Sequence, residues 1–526
     1  MTTPHSTALP RRTTPRGPRA CLLVAPQPLA PLLALLLLGA ACESPGGRLP
    51  DPQRHQVNNA RAVPLDVHIS VERTLALNFE AGQALVLRDH YGNVNVTVDA
   101  EGPPRCLATV GVSAASEEAA EVLDRTIGLD FQVTEDGVQV LLIEPARSDD
   151  LVYVASATLE LFVPPGTPLR IDMARGNFNG IGPFGQALVE TRKGELRLRK
   201  VDGGVIARSN DGDVKLRECT GGPVRASTDS GVLALIGSRT ETARLETARG
   251  RIVVRSVNGG TIECLARRGS IVLEDVEASV TLEAGSGVRI KHHTGDSLSL
   301  ENSSGPSYLT DVRVSSLSAS VEDGPLELER VNAGSATVDL ESGNLTLTDF
   351  QGRLEAKTGS GDIDAVLLKG PETSLSTEYG DITAHDVLGA LSTRTGRGHT
   401  KLTKTQGDLH VVSRRGPVGV TGILASVILE SAEGGVLVRA LPGSTLREPW
   451  RISSGRSDLV LSLPHDMTFR LEARADQGVI DSAFAIFVGA GLTQEAGALR
   501  GDVGGGGPTL ELHSERGNIA IRRQSK

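Results

Sequence analysis

Apolar and polar positions alternate along most of this chain in short stretches, and each stretch is introduced by a glycine. Apolar side chains stand two and four residues after the glycine in Leu196/Leu198, Val214/Leu216, Leu233/Leu235, Ile252/Val254, Ile271/Leu273, Leu326/Leu328 and Leu345/Leu347. A period of two marks a strand with one buried face. A third apolar column falls seven residues after the glycine: Val201, Cys219, Val257, Val276, Val312, Val331, Phe350, Leu368, Val387 and Ile423. A further pair closes each coil, as in Val205/Ala207, Ile262/Cys264, Leu298/Leu300 and Leu409/Val411. Helical spacing is absent here, and β-branched residues with glycine turns dominate.

The glycines keep time. Gly176, Gly194, Gly212, Gly231, Gly250, Gly269, Gly287, Gly305, Gly324, Gly343, Gly361, Gly380, Gly398 and Gly416 follow one another at steps of 18 or 19 residues. A fixed period held this long predicts a solenoid, and the strand pattern makes it a parallel β-helix. At about 4.8 Å per stacked strand, some fourteen coils give a rod on the order of 70 Å long. In the 18-residue coils from Gly194, Gly269, Gly287, Gly343 and Gly398, the second inward pair lies at offsets 11 and 13. In the 19-residue coils from Gly212, Gly231, Gly250, Gly305 and Gly324 it lies at 12 and 14. The extra residue therefore precedes the second strand, and the run on to the next glycine is constant. The coil from Gly416 obeys this only if Gly434, not Gly435, closes it.

The repeats occupy 176–435. Before them, 65–175 reads as a β-rich cap, with strands at Thr74–Phe79, Ala84–Leu87, Asn93–Val98, Cys106–Val112, Phe131–Thr134, Val138–Ile143 and Thr158–Val163. Tyr91-Gly92-Asn93-Val94 already carries the coil signature. One helix is expected at Glu117–Ile127, with Ser116 as N-cap and Ala119, Val122 and Leu123 facing inward. After Gly435 the period loosens. Residues 436–526 read as irregular coils and a second cap, with an insertion carrying the only tryptophan, Trp450. Leu510/Leu512 and Ile519/Ile521 form a last hairpin-like pair.

Residues 1–41 change the setting. A basic, proline-rich start leads into Leu32-Leu33-Ala34-Leu35-Leu36-Leu37-Leu38 and then small residues, the form of an export signal. Arg11-Arg12 suggests twin-arginine export, but the apolar residues that normally follow are missing, which favours the general secretory route. Leu38-Gly39-Ala40-Ala41-Cys42 resembles a bacterial lipobox, so Cys42 is expected to be lipidated and to become the mature N-terminus. Acyl chains would hold the protein at a membrane. Residues 42–64 are polar and rich in proline and glycine, a flexible tether.

Composition agrees. Only 3% of residues are aromatic and 60 are glycine, as suits a narrow interior. The net charge of −10, with four arginines and no acid in the leader, disfavours a nucleic-acid partner. Five cysteines in so long a chain do not make a disulfide scaffold. Cys219 and Cys264 should point inward two coils apart as free thiols, and Cys106 has no obvious partner.

The motif Leu161-Phe162-Val163-Pro164, the turns Asp211-Gly212-Asp213-Val214, Ser360-Gly361-Asp362-Ile363 and Tyr379-Gly380-Asp381-Ile382, and the closing Gly517-Asn518-Ile519-Ala520-Ile521 together resemble the bacterial putative-adhesin β-strand-repeat family. This is a family of domains of unknown function in cell-envelope proteins. The resemblance spans Leu65 to Arg523. It implies a right-handed β-helix and an envelope location, and it brings no catalytic residues.

Candidate chemistry is sparse. Asp362 and Asp381 share one offset in consecutive coils, with Asp364 two residues along, and stacked acids serve some polysaccharide-cleaving β-helix enzymes. No basic cluster or aromatic platform accompanies them, and aspartate after glycine also suits a turn. His292-His293 is the only histidine pair. Adjacent strand residues face opposite sides, so the pair makes no simple metal site and reads as surface. His385, His399 and His410 occupy different offsets. Outward threonines are not ranked as an ice-binding face would need. The expectation is a non-enzymatic envelope lipoprotein without cofactor or metal, most simply at the outer membrane. Its partners would be the membrane through Cys42 and an envelope polysaccharide or surface protein. A carbohydrate-active enzyme using Asp362, Asp364 and Asp381 is the alternative.

Overall fold

The computed structural model of the chain describes residues 65–146, 153–488 and 497–524. The signal, the tether and Cys42 lie outside the described residues. The rest forms a parallel β-helix, each coil pairing in register with the next. Leu326, Leu328 and Val331 lie against Leu345, Leu347 and Phe350, and these against Ile363, Ala365 and Leu368. The inward columns are almost completely buried and form one continuous core.

Each coil opens at the glycine corner and runs through a first wall. It turns again, passes a looser bend, and returns along a second wall. The looser bend absorbs the length differences: register shifts fall at Asn258/Thr261, Asn332/Ser335 and Gln351/Leu354. The glycine corner is tight. Gly361 has φ +148°, and a Cβ there would lie 2.1 Å from the carbonyl oxygen of Gly343. Gly434 stacks on Gly416 in the same way, so it does close that coil.

One coil departs from the expected frame. Ile271 pairs with Val288, and Val288 with Ser307, so Ser286 rather than Gly287 holds the corner. The coil from Gly269 has therefore lost a residue at the glycine corner itself, and the run into that corner is not constant there. The frame beyond it slips by one. His293 then falls in the third column, between Val276 and Val312, and is fully buried. It is not a surface residue. Ile423 leaves the same column, because Gly422 pairs with Thr405 and Leu424 points inward instead.

At the turn after the first wall glycine does not recur, although Gly237 stands there in one coil with φ 58°. Lys200, Glu218, Ser256, Asp275, His292, Asp311, Arg330, Asp349, Leu367, Asp386 and Lys404 all stand there with φ between 51° and 61°. These side chains point outward, so the left-handed backbone carries conformational strain without a clash.

Both ends of the stack are closed in the same way. The first strands are β1 (Val67–Ala76), β2 (Leu85–Tyr91), β3 (Val94–Val98) and β4 (Arg105–Ala114). Helix α1 (Glu117–Thr126) follows, then β5 (Gly128–Thr134), β6 (Gly137–Ile143), β7 (Tyr153–Val163), β8 (Leu169–Arg175) and β9 (Phe178–Phe184). The rung β2–β3 is inserted out of sequence order: β2 lies between β6 and β8, and β3 between β7 and β9. Antiparallel pairing of β1 with β4 and β4 with β7 then ends the parallel stack. Ser116 caps α1 by accepting the Ala119 N–H at 3.1 Å. Ala119, Ala120 and Leu123 are buried, whereas Val122 is 46% exposed and does not face inward as expected.

At the other end, Thr509–Ser514 and Ile519–Arg523 do not pair with each other as a hairpin. They are the two walls of one rung. That rung sits between Trp450–Ser454 with Leu459–Leu463 on one side and Phe469–Ala475 with Ile480–Ser482 on the other. The antiparallel strand Ala498–Val503 covers Phe469–Ala475. Trp450 is fully buried and donates from Nε1 to Ala425 O at 3.2 Å.

Candidate functional site

The acids singled out by sequence have a structural task. Asp362 Oδ1 accepts the backbone N–H of Asp381 at 2.8 Å, and Asp381 Oδ1 accepts that of His399 at 2.7 Å. Asn344 Oδ1 does the same for Asp362 at 3.0 Å. Asn93, Asn177 and Asp213 repeat the arrangement near the N-terminal end, and Asp458 and Asn518 near the C-terminal end. Where the residue after the corner is Asp or Asn, it thus ties that corner to the next. Asp364 is exposed on the first wall and makes no ion pair within 4.0 Å among the described residues. No group of three or more metal-capable side chains occurs among the described residues.

A column that the sequence reading missed lies inside, three residues before the corner. Ser209, Thr228, Thr358 and Thr377 donate to the corner carbonyls of Gly194, Gly212, Gly343 and Gly361 at 2.9–3.1 Å. A Ser/Thr-x-x-Gly recurrence was the available signal.

The left-handed turn carries a ladder of alternating charge. His292 Nδ1 lies 3.1 Å from Asp275, and its Nε2 3.5 Å from Asp311. Arg330 reaches Asp311 at 2.6 Å and also meets Glu329, and Lys404 reaches Asp386 at 3.6 Å. The Arg330 guanidinium holds Asp311 below the usual carboxylate range. Such exposed pairs stitch neighbouring coils and each adds little.

His293 behaves differently. Its Nδ1 sits 3.0 Å from Val276 O and so carries the donated proton, while Nε2 has no partner among the described residues. Burial lowers its pKa, as it does for His90. A histidine kept neutral in the fold favours folding above its unfolded value of about 6.5, and that contribution is lost as pH falls below it, because only the unfolded chain then takes the proton. His293→Val should raise stability by about 1 kcal/mol at pH 7 by removing the unpaired nitrogen. It should also flatten the fall in thermal midpoint between pH 6.5 and 5, leaving the share due to His90. A variant as acid-sensitive as the parent would contradict this.

Cys106, Cys219 and Cys264 are free and buried, as expected. Burial pushes the first two thiols up to about 12 and the third higher still.

The outward face of the first wall is richer in base before Tyr308, with Lys215, Arg217, Arg251, Arg255, Arg289 and Lys291, and richer in acid just after it, with Glu327, Glu329, Asp362, Asp364 and Asp381. The division is not complete: Glu195 and Asp213 pair with Lys215 and Glu274 with Arg255 in the first half, and Lys401 stands in the second. A groove of about 520 Å³ lies on the basic half, bounded by Arg251, Val253, Val272, Arg289, Lys291 and Tyr308.

No curated protein matches this chain. Three crystal structures are similar to it, and all are remote. The chain aligns with a putative cell adhesion protein from Clostridium sporogenes at 7% identity, over 87% of this chain and 100% of that one, with a TM-score of 0.14. With a putative adhesin from Bacteroides fragilis the figures are 8%, 62%, 96% and 0.16. With one from Parabacteroides distasonis they are 11%, 71%, 97% and 0.15. Superpositions this weak carry no argument. The family comparison is more specific: residues 271–386 match the family described as Toastrack DUF4097. The coils over these residues are thus similar to the Toastrack DUF4097 family, in keeping with the resemblance to a family of domains of unknown function.

Proposed function

We propose that the protein is a non-enzymatic surface scaffold of the adhesin kind, exported and held at the bacterial envelope by acylation of Cys42. The observation that carries this reading is the use of Asp362 and Asp381. Their carboxylates hold the backbone of the next coil, so the stacked acids act as stitching rather than as an acid/base pair. The remaining first wall is a long array of outward side chains in fixed register, suited to meeting another surface.

Two measurements test the parts separately. Metabolic labelling with a palmitate analogue should mark the wild type and leave Cys42→Ala unmarked; an unlabelled wild type would remove the anchor. Asp362→Ala should cost about 0.5–1 kcal/mol in urea unfolding through loss of the acceptor, while Asp362→Asn, which keeps one, should cost almost nothing. A polysaccharide-cleaving activity that vanishes in Asp381→Asn, with stability unchanged, would replace the scaffold reading by the enzymatic one.

A further inference from the structure

The charge division of the first wall is ordered coil by coil. In register, one outward column reads Lys215, Ala234, Val253, Val272, Arg289, Tyr308, Glu327, Thr346, Asp364. Taking Tyr308 as a centre, Arg289 lies one coil before it and Glu327 one coil after. In the neighbouring column Lys291 and Glu329 hold the same two coils. Three coils out, Arg251 stands on one side and Asp362 on the other, each first on its wall after the corner. Two coils out, Ser270 is matched by Asn344.

The geometry points to a second copy of this chain as the partner. Its first wall would lie against this one in antiparallel fashion, about a two-fold axis through Tyr308 and along the strands. That operation exchanges the coils before Tyr308 with those after it and keeps each column in place. Arg289 then meets the partner's Glu327, Lys291 meets the partner's Glu329, and Arg251 meets the partner's Asp362. Symmetry repeats every pair, and Tyr308 faces its own equivalent. An isologous contact needs a self-complementary patch of this kind.

The members are available. Arg251, Arg289, Lys291 and Glu327 are exposed and make no ion pair within 4.0 Å among the described residues. Arg289 lies over the Tyr308 ring at 5.5 Å. Glu329 already meets Arg330 on its own chain and would be shared. Small residues between the charges, Ser270, Val272, Thr346 and Thr348, let two walls approach. Seven coils by five residues give about 550 Å² per copy, or about 1,100 Å² in all, just under the range of stable specific interfaces and in that of transient ones. The association is therefore reversible and salt-sensitive, with charge setting its register. Because the copies run antiparallel, their N-terminal ends point opposite ways, as two facing surfaces would need. That last step rests on the surface reading above; the dimer itself does not.

The test is a charge exchange on the exported protein purified in mild detergent and followed by sedimentation. The wild type should dimerise, more weakly as salt is raised. Arg289→Glu with Lys291→Glu should weaken dimerisation at least tenfold, and so should Glu327→Arg with Glu329→Lys. An equimolar mixture of the two variants should restore a dimer, because each then supplies what the other lacks. A monomeric wild type, variants that dimerise normally, or a mixture that stays monomeric would each overturn the proposal. So would a monomeric wild type retained on immobilised polygalacturonate and released by the first variant's changes, which would assign the groove to an acidic polysaccharide. Cell-to-cell adhesion indifferent to all four substitutions would remove the role of the dimer between facing surfaces, whatever sedimentation shows of the dimer itself. Charge-dependent dimers of a protein absent from the cell surface would keep the dimer and remove the surface reading.

Discussion

A chain ended after Val503 should fail to close its C-terminal end. It would lack Thr509–Ser514 and Ile519–Arg523, the rung that hydrogen-bonds to neighbours on both faces. Four fully buried or nearly buried aliphatic side chains go with it, Leu510, Leu512, Ile519 and Ile521. At about 1.5–3 kcal/mol for each, the loss far exceeds what a terminal coil holds in reserve. Because solenoid coils are stabilised mainly by their neighbours, the damage should be local. Limited proteolysis should cut freely beyond about Gly434 and leave the earlier coils protected. The exposed strand edges should also drive the shortened chain into aggregates. A cleavage pattern and soluble yield like those of the intact chain would refute this account of the end.

The second large effect is expected at Gly361. A methyl group there meets the Gly343 carbonyl at 2.1 Å, on backbone that cannot swing away, and φ is +148°. The cost combines left-handed strain with separation of two coils, and we expect Gly361→Ala to lose at least about 3 kcal/mol in urea unfolding. Gly419 is the internal comparison, since an added Cβ there meets nothing within 4 Å. Gly419→Ala should change stability by less than about 0.5 kcal/mol. Equal effects at the two positions would show that the corner is not the tight point of the coil.

The repeats were legible because their signal is local. Each inward residue lies a few positions from a corner glycine: period two places Leu196 and Leu198 within one coil, and Val201 follows from the column that recurs seven residues after the glycine. Besides Ile423, the column slipped where that anchor was ambiguous. In Ala284-Gly285-Ser286-Gly287 the flanking glycines attract the count, while Ser286 holds the corner, and one displaced residue was enough to move His293 from the core to the surface. The left-handed turn was invisible for the opposite reason. Four of its residues are Asp, which tolerates positive φ but also serves ordinary turns, and Lys, Glu, Arg and Leu give no such signal, so the stacked geometry rather than residue type marks the turn. The inserted end rungs were illegible in principle. Leu510/Leu512 and Ile519/Ile521 show a coil's two walls around Gly517, but nothing nearby in the chain says between which coils they lie. The candidate acids were placed correctly on one offset. What sequence could not show was that Asp362 Oδ1 is taken up by the Asp381 amide.

The out-of-order rungs have a mechanical consequence. Hydrogen bonds between coils run along the stack, so tension on a simple solenoid would peel it from the end one turn at a time. Here the first strand to yield under a pull on the N-terminal side would be β1, which is joined to β4 alone. The load would then reach β2 and β3, gripped on both faces by β6, β7, β8 and β9. Withdrawing that rung breaks two ladders at once, which makes it a latch against unravelling under such a pull.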